Sequence, residues 1–218
     1  MNIVTLCLSC GRFDLLQRAL ESYRQCMPVE NELIVYDDSM RNLGQAKALD
    51  HLIELGLATN ADFFMMLEDD WIFQYGVGWY YDSIWILQNH PEIMIIGLSL
   101  TSEIRSHMLP GTELSVTRND FIKIVPHEPW QLSERHAYWN GWIGSPKLMR
   151  RQDVYDLPKF SNYIAEERFD QQAWKPMFYD KGRKSIWLDK QYCVHIGDNR
   201  SLFPTGDMLN PEMRTWLK

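Results

Sequence analysis

The first seventy residues constrain the fold more than any other part of the chain. Three short apolar, β-rich runs, at 3–9, 32–36 and 63–67, are separated by two stretches in which apolar residues recur at helical spacing. In the first of these, Leu15, Leu16, Ala19, Leu20 and Tyr23 share a face, and Asp14 is the expected N-cap. The second runs through Ala46, Ala48, Leu49, Leu52, Ile53 and Leu55 and is expected to stop near Gly56. Strand, helix, strand, helix, strand at this spacing predicts right-handed crossovers and a parallel sheet, hence an α/β fold.

Two of the three runs end in carboxylates, Asp37-Asp38 after the second and Glu68-Asp69-Asp70 after the third. Ligands of open α/β sheets gather at the carboxyl ends of the strands, so these acids are expected to face a crevice. If the strands are neighbours, the two acidic ends lie roughly 5 to 10 Å apart, close enough to hold two parts of one ligand. One acidic triplet alone reads equally well as a solvated turn, because exposed carboxylates are common. Its repetition at a second strand end favours a site for a hard cation.

Beyond residue 71, a helix is expected over 79–90, stopped by Pro91, and a buried strand over 93–98. The stretch 101–134, broken by Pro110-Gly111, Pro126 and Pro129, reads as hairpins and loop. Trp139, Gly141, Trp142 and Gly144 follow, ahead of a helix that Pro146 is expected to start. Indole faces suit sugar rings or bases, and glycines allow close backbone approach, although a turn with two core tryptophans has the same composition. Glu166, Glu167 and Asp170 crowd the first turns of another expected helix, where the dipole alone favours acids. A short strand at 190–194 leads to His195.

The 218 residues, 45% of them hydrophobic, can supply one substantial core, and a single domain over 1–218 is expected. A formal charge of −7 argues against a protein that grips nucleic acid mainly through its phosphates, but permits a local basic groove. No apolar run approaches a membrane span, and the opening residues lack the charged start of a signal peptide, so a cytoplasmic protein is expected. Cys7, Cys10, Cys26 and Cys193 have no second pair at zinc spacing and read as reduced and structural. A Walker loop, a dinucleotide fingerprint and a nucleophile elbow are all absent.

Taken in order, these motifs resemble nucleotide-sugar glycosyltransferases of the GT-A fold, closest to the family 2 type over 3–71 and more loosely through 197. Arg12-x-Asp14-x-Leu16-x-Arg18-Ala19-Leu20-x-Ser22 is similar to that family's first loop and helix, and Asp37-Asp38-Ser39 to its base-binding turn. Asn42-x-Gly44 with Ala48 follows its next segment, with Asp50 where the family usually has Asn. Glu68-Asp69-Asp70 resembles its acidic metal motif, in the form seen also in N-acetylglucosaminyltransferase I-type enzymes. Gly141-x-x-Gly144 resembles the acceptor-side loop, Glu166-Glu167 falls where an Asp-containing pair supplies the general base, and His195 falls where a late metal ligand is placed.

The resemblance implies a mostly parallel central sheet flanked by helices, with a nucleotide-sugar half over about 1–99, a smaller mixed acceptor-side half over about 100–197, and a tail over 198–218. It implies a metal-dependent, inverting transfer from a nucleoside-diphosphate sugar, most simply a UDP-sugar. Asp70 and His195 are implied as ligands of Mn²⁺ or Mg²⁺. Ser9, Arg12, Asp37, Arg41, Glu68, Asp69, Gly141 and Trp142 are implied in nucleotide-sugar binding, with Asp37 on the base, Glu68 or Asp69 on the ribose or a metal-bound water, and Arg12 or Arg41 lining the base pocket. Glu167 is the first candidate for the base, with Glu166 and Asp170 as alternatives on the same helix. A glycan or lipid-linked acceptor is the default, and a hydroxylated DNA base, as in phage DNA-modifying transferases, is the lesser alternative. A sugar nucleotidyltransferase would usually carry a glycine-rich loop where Ser9-Cys10-Gly11-Arg12 stands. A non-catalytic carbohydrate-binding protein would explain Trp139 and Trp142 without needing the acids.

Overall fold

The computed structural model describes residues 2–74, 76–99, 114–115, 122–125, 143–144, 146–162, 181–188 and 191–197. Five elements open the chain: β1 (Ile3–Ser9), α1 (Phe13–Cys26), β2 (Glu32–Asp37), α2 (Gln45–Leu57) and β3 (Phe63–Glu68). They follow the expected order. Then come β4 (Trp71–Phe73), α3 (Gly78–Asn89), β5 (Ile93–Gly97), β6 (Leu114–Ser115), β7 (Ile122–Val125), β8 (Lys147–Arg150), α4 (Arg151–Tyr155), β9 (Lys184–Leu188) and β10 (Cys193–His195).

The described residues form an eight-stranded sheet in the order β2-β1-β3-β8-β5-β9-β7-β6, while β4 and β10 pair separately. β1 is parallel to both β2 and β3, and β5 to β9, whereas β8 and β7 run against their neighbours. Six of the eight strands therefore point the same way, which is the α/β, mostly parallel architecture expected.

Alternation along β3 divides the core between the two sheet faces. Phe63, Met65 and Leu67 join Cys7, Tyr23, Trp79 and Leu87 on one side, and Phe64 and Met66 join Leu6, Leu52 and Met149 on the other. α2 lies so close to the sheet that a Cβ on Gly56 would fall 2.7 Å from Phe64 and 2.9 Å from Leu6. The helix ends at Leu57, next to the expected Gly56, which lies inside it and serves close packing, and the cap falls on Ala58.

Two local expectations are corrected, and one strand is new. Arg12, not Asp14, occupies the N-cap of α1, with no side-chain cap bond, and Asp14 sits in the first turn. Pro146 precedes a strand rather than a helix, because β8 is inserted antiparallel between β3 and β5, pairing Lys147 with Met66 and Gly97. β4 was not expected at all; its three residues gain strand form only by pairing with β10. Among the described residues, no helix is long and apolar enough to cross a membrane.

Candidate functional site

The parallel register of β1 with β2 and β3 places Ser9 beside Asp37 and Leu8 beside Glu68, so both acidic turns leave the same edge of the sheet. Backbone bonds tie them to the end of β1. The Asp38 N–H donates to the Ser9 carbonyl at 2.9 Å, and the Asp69 N–H to the Leu8 carbonyl at 3.1 Å.

The two turns serve different ends. Asp38 is buried and accepts from the N–H groups of Leu43 and Gly44, both at 2.9 Å, which folds the loop into α2. Asp37 is more exposed, and its Oδ1 accepts from the N–H groups of Gly11 at 3.0 Å and Ser39 at 2.9 Å. Burial acts most strongly on Asp37 and pushes its pKa up, but the hydrogen bonds from Ser39 and Gly11 outweigh it and hold the carboxyl below its ordinary value. Arg41 lies exposed on the same loop.

At the end of β3, Asp69 is fully buried and Asp70 nearly so. Ser9 Oγ donates to Asp69 Oδ2 at 2.7 Å. Arg12 bridges the pair: its Nε donates to Asp69 Oδ2 at 3.2 Å, one terminal nitrogen to Asp69 Oδ1, and the other to Asp70 Oδ2 at 2.7 Å. Arg12, one of two arginines expected to line the base pocket, has its guanidinium on these two acids.

The β4–β10 pair completes the cluster. Register places His195 opposite Trp71, next in sequence to Asp70, and the Ile196 N–H donates to the Asp70 carbonyl at 2.8 Å. His195 Nε2 lies 3.1 Å from Asp70 Oδ2, and its ring packs on Trp71 with centroids 5.0 Å apart. Residues 125 positions apart thus share one oxygen. Burial pushes Asp70 up most strongly, yet the His195 hydrogen bond and the Arg12 charge together hold it below its ordinary value. For Asp69 burial prevails over Ser9 and Arg12, and its pKa is raised.

Among the described residues, no three His, Cys, Asp or Glu side chains converge as a metal site. The residues present nevertheless fit a hard divalent cation that draws its other ligands from a bound substrate and water. Asp70 Oδ1 is buried with no hydrogen-bond partner. Gly197 keeps the cradle open, since a Cβ there would fall 2.4 Å from Asp70 Oδ2. Neither Trp71 nor Gly197 was singled out from sequence, because their importance comes from a strand pairing that local pattern does not reveal.

Glu68 lines a small cavity of about 20 Å³ on the α2 side of the sheet, with Leu8, Gln45, Leu49, Gly144 and the buried Lys147. Asp50, the departure from the family pattern, accepts from the N–H groups of Phe160 at 2.7 Å and Ser161 at 2.9 Å, one on each oxygen. An asparagine has a single oxygen and could not give each N–H an acceptor of its own. Gly141, Trp142, Glu166, Glu167 and Asp170 lie outside the described residues.

No protein-family model and no curated protein matches the chain. Solved structures do. Residues 1–349 of S. aureus TarS in complex with UDP give a TM-score of 0.53 at 14% identity, covering 88% of this chain and 60% of that one. GalNAc-T7 with UDP, GalNAc and Mn²⁺ gives 0.57 at 11% identity, covering 99% of this chain and 47% of that one. The chain thus spans less than two thirds of either protein. Both are GT-A-type glycosyltransferases, and at such identity the likeness is one of fold. A mostly parallel α/β sheet with helices on its faces and acids gathered at one strand edge gives this chain a GT-A-like fold.

Proposed function

We propose that the chain is a metal-dependent, inverting glycosyltransferase that uses a nucleoside-diphosphate sugar, most simply a UDP-sugar. One observation carries this reading: Asp70 and His195, from distant parts of the chain, meet at 3.1 Å beside a buried, unpartnered carboxylate oxygen at the ligand-binding edge of the sheet. The crystallised partners of the fold neighbours, UDP with TarS and UDP and Mn²⁺ with GalNAc-T7, support it.

In this reading Asp70 and His195 hold Mn²⁺ or Mg²⁺. Such an ion neutralises charge that grows on a diphosphate as the glycosidic bond breaks. Imidazole beside carboxylate favours manganese of the two. Asp37 accepts from the nucleobase, with Arg41 on the same loop at its edge, and Ser9 and Asp69 hold Arg12 toward the diphosphate. Glu68 meets the ribose. Gly141 and Trp142 belong to the acceptor side. Glu167, or else Glu166 or Asp170, takes the acceptor hydroxyl proton as that oxygen attacks the anomeric carbon. A glycan or lipid-linked sugar is the acceptor. The free cysteines, three of them buried, suit a reducing, cytoplasmic setting.

Calorimetry with UDP, with and without Mn²⁺, tests the donor site. Nucleotide binding that requires the metal is expected; absent or metal-independent binding overturns the reading. Mass spectrometry of mixed candidate acceptors incubated with UDP-sugars then identifies the product.

A further inference from the structure

We infer that Arg12 is an internal counter-cation that makes divalent-metal binding at Asp70 depend on an anionic nucleotide. The inference rests on the donor-site reading above and adds a coupling to it. Arg12 spans both acids, with bonds of 3.2 Å to Asp69 Oδ2 and 2.7 Å to Asp70 Oδ2, and a further terminal nitrogen on Asp69 Oδ1. Asp69 is fully buried and Asp70 5% exposed, so little water screens the cluster.

The oxygen that Arg12 takes on Asp70 is the one that faces His195. A cation held by His195 and Asp70 would draw on the same carboxylate that Arg12 already takes at Oδ2, beside the open Oδ1. Two positive groups would then compete for one carboxylate. With two carboxylates facing one guanidinium and one divalent ion, the cluster acquires net positive charge in a poorly solvated place. An arriving diphosphate removes that excess by giving the guanidinium a second anion. The amino end of α1, which starts one residue after Arg12, adds its own preference for negative charge there. Bare metal is therefore held weakly and metal with nucleotide strongly. The device keeps the site from filling with cation before donor arrives.

The test is titration of Mn²⁺, followed by the paramagnetic resonance of the free ion, with and without UDP, on wild type and Arg12→Gln. In wild type, UDP is expected to tighten Mn²⁺ about tenfold or more. In Arg12→Gln, Mn²⁺ alone is expected to bind about tenfold tighter than in wild type, and the gain from UDP to shrink. Equal or weaker binding of Mn²⁺ alone by a folded Arg12→Gln overturns the inference. Should that variant not fold, Arg12→Lys replaces it. A lysine reaches only one carboxylate, so Mn²⁺ alone is expected to bind at least about threefold tighter than in wild type, and no gain overturns the inference. Wild type that binds Mn²⁺ equally well with and without UDP overturns the coupling alone. Wild type that binds neither overturns the donor-site reading with it.

Discussion

Gly197 shows how a single missing methyl group can shape a site. Its neighbour is the Asp70 carboxylate itself, so Gly197→Ala must push that group aside. Mn²⁺-dependent UDP binding is expected to fall about tenfold or more in this variant, with an unchanged far-ultraviolet circular dichroism spectrum, read by calorimetry. Asp70→Ala is expected to abolish turnover with any UDP-sugar while preserving the fold; unaltered turnover would mean that the cation site is misplaced. Asp37 sets a pH dependence. Its folded pKa is depressed, so its contribution to stability is fully present above the ordinary carboxylate range and is lost as pH falls through the folded value. Melting temperatures followed below about pH 5 are expected to fall less steeply for Asp37→Asn than for wild type.

At the scale of elements, two consecutive arginines anchor separate helices. The guanidinium of Arg150 donates to the carbonyls of Leu87 at 2.6 Å and His90 at 3.2 Å at the end of α3, and pairs with buried Asp153, as does Arg183. Arg151 donates to the carbonyls of Leu57 at 2.6 Å, Thr59 at 2.8 Å and Ala61 at 3.2 Å, closing the end of α2. Leu87 and Leu57 are among the carbonyls that a helix end leaves without intrahelical partners, and Thr59 and Ala61 lie in the segment after α2. Arg151→Ala is expected to cost about 1–3 kcal/mol in urea unfolding, and Gly56→Ala a similar amount by forcing α2 off Phe64 and Leu6. The elements that were legible beforehand, β1 to β3 with α1 and α2, are those whose period of two or 3.6 lies within one stretch of chain. The illegible ones, β4 and β8, are three or four residues long and exist through pairing with distant strands, whereas the strand before His195 was expected but its partner was not. For β8 the local Pro146 signal pointed to a helix, and insertion between β3 and β5 prevailed.

For the whole molecule, the candidate site draws on the ends of β1, β3 and β10 and on the N-cap of α1, so occupancy should stabilise the entire fold. A ligand present at about 100 times its Kd adds about 2.7 kcal/mol to the free energy of unfolding. UDP with Mn²⁺ is therefore expected to raise the melting temperature by several degrees, and a chelator to reverse the rise, followed by differential scanning calorimetry. No rise with both ligands at saturation would count against donor binding.

By itself the sequence determined the α/β class, the parallel β1–β3 core and the edge at which the acids collect. Each follows from local periodicity and from the rule that parallel strands of one sheet end on one side. The resemblance put Asp70 and His195 on one cation, but nothing local says that the His195 ring lies against an Asp70 oxygen. Tertiary structure decided that through the β4–β10 register. It also decided the division of labour among the acids: Asp38 is consumed by backbone amides, Asp37 remains more exposed, and Asp69 and Asp70 are bridged by Arg12. The physical reason is that a carboxylate's role is set by which donors reach it and how much water is excluded, and both depend on neighbours brought from elsewhere in the chain.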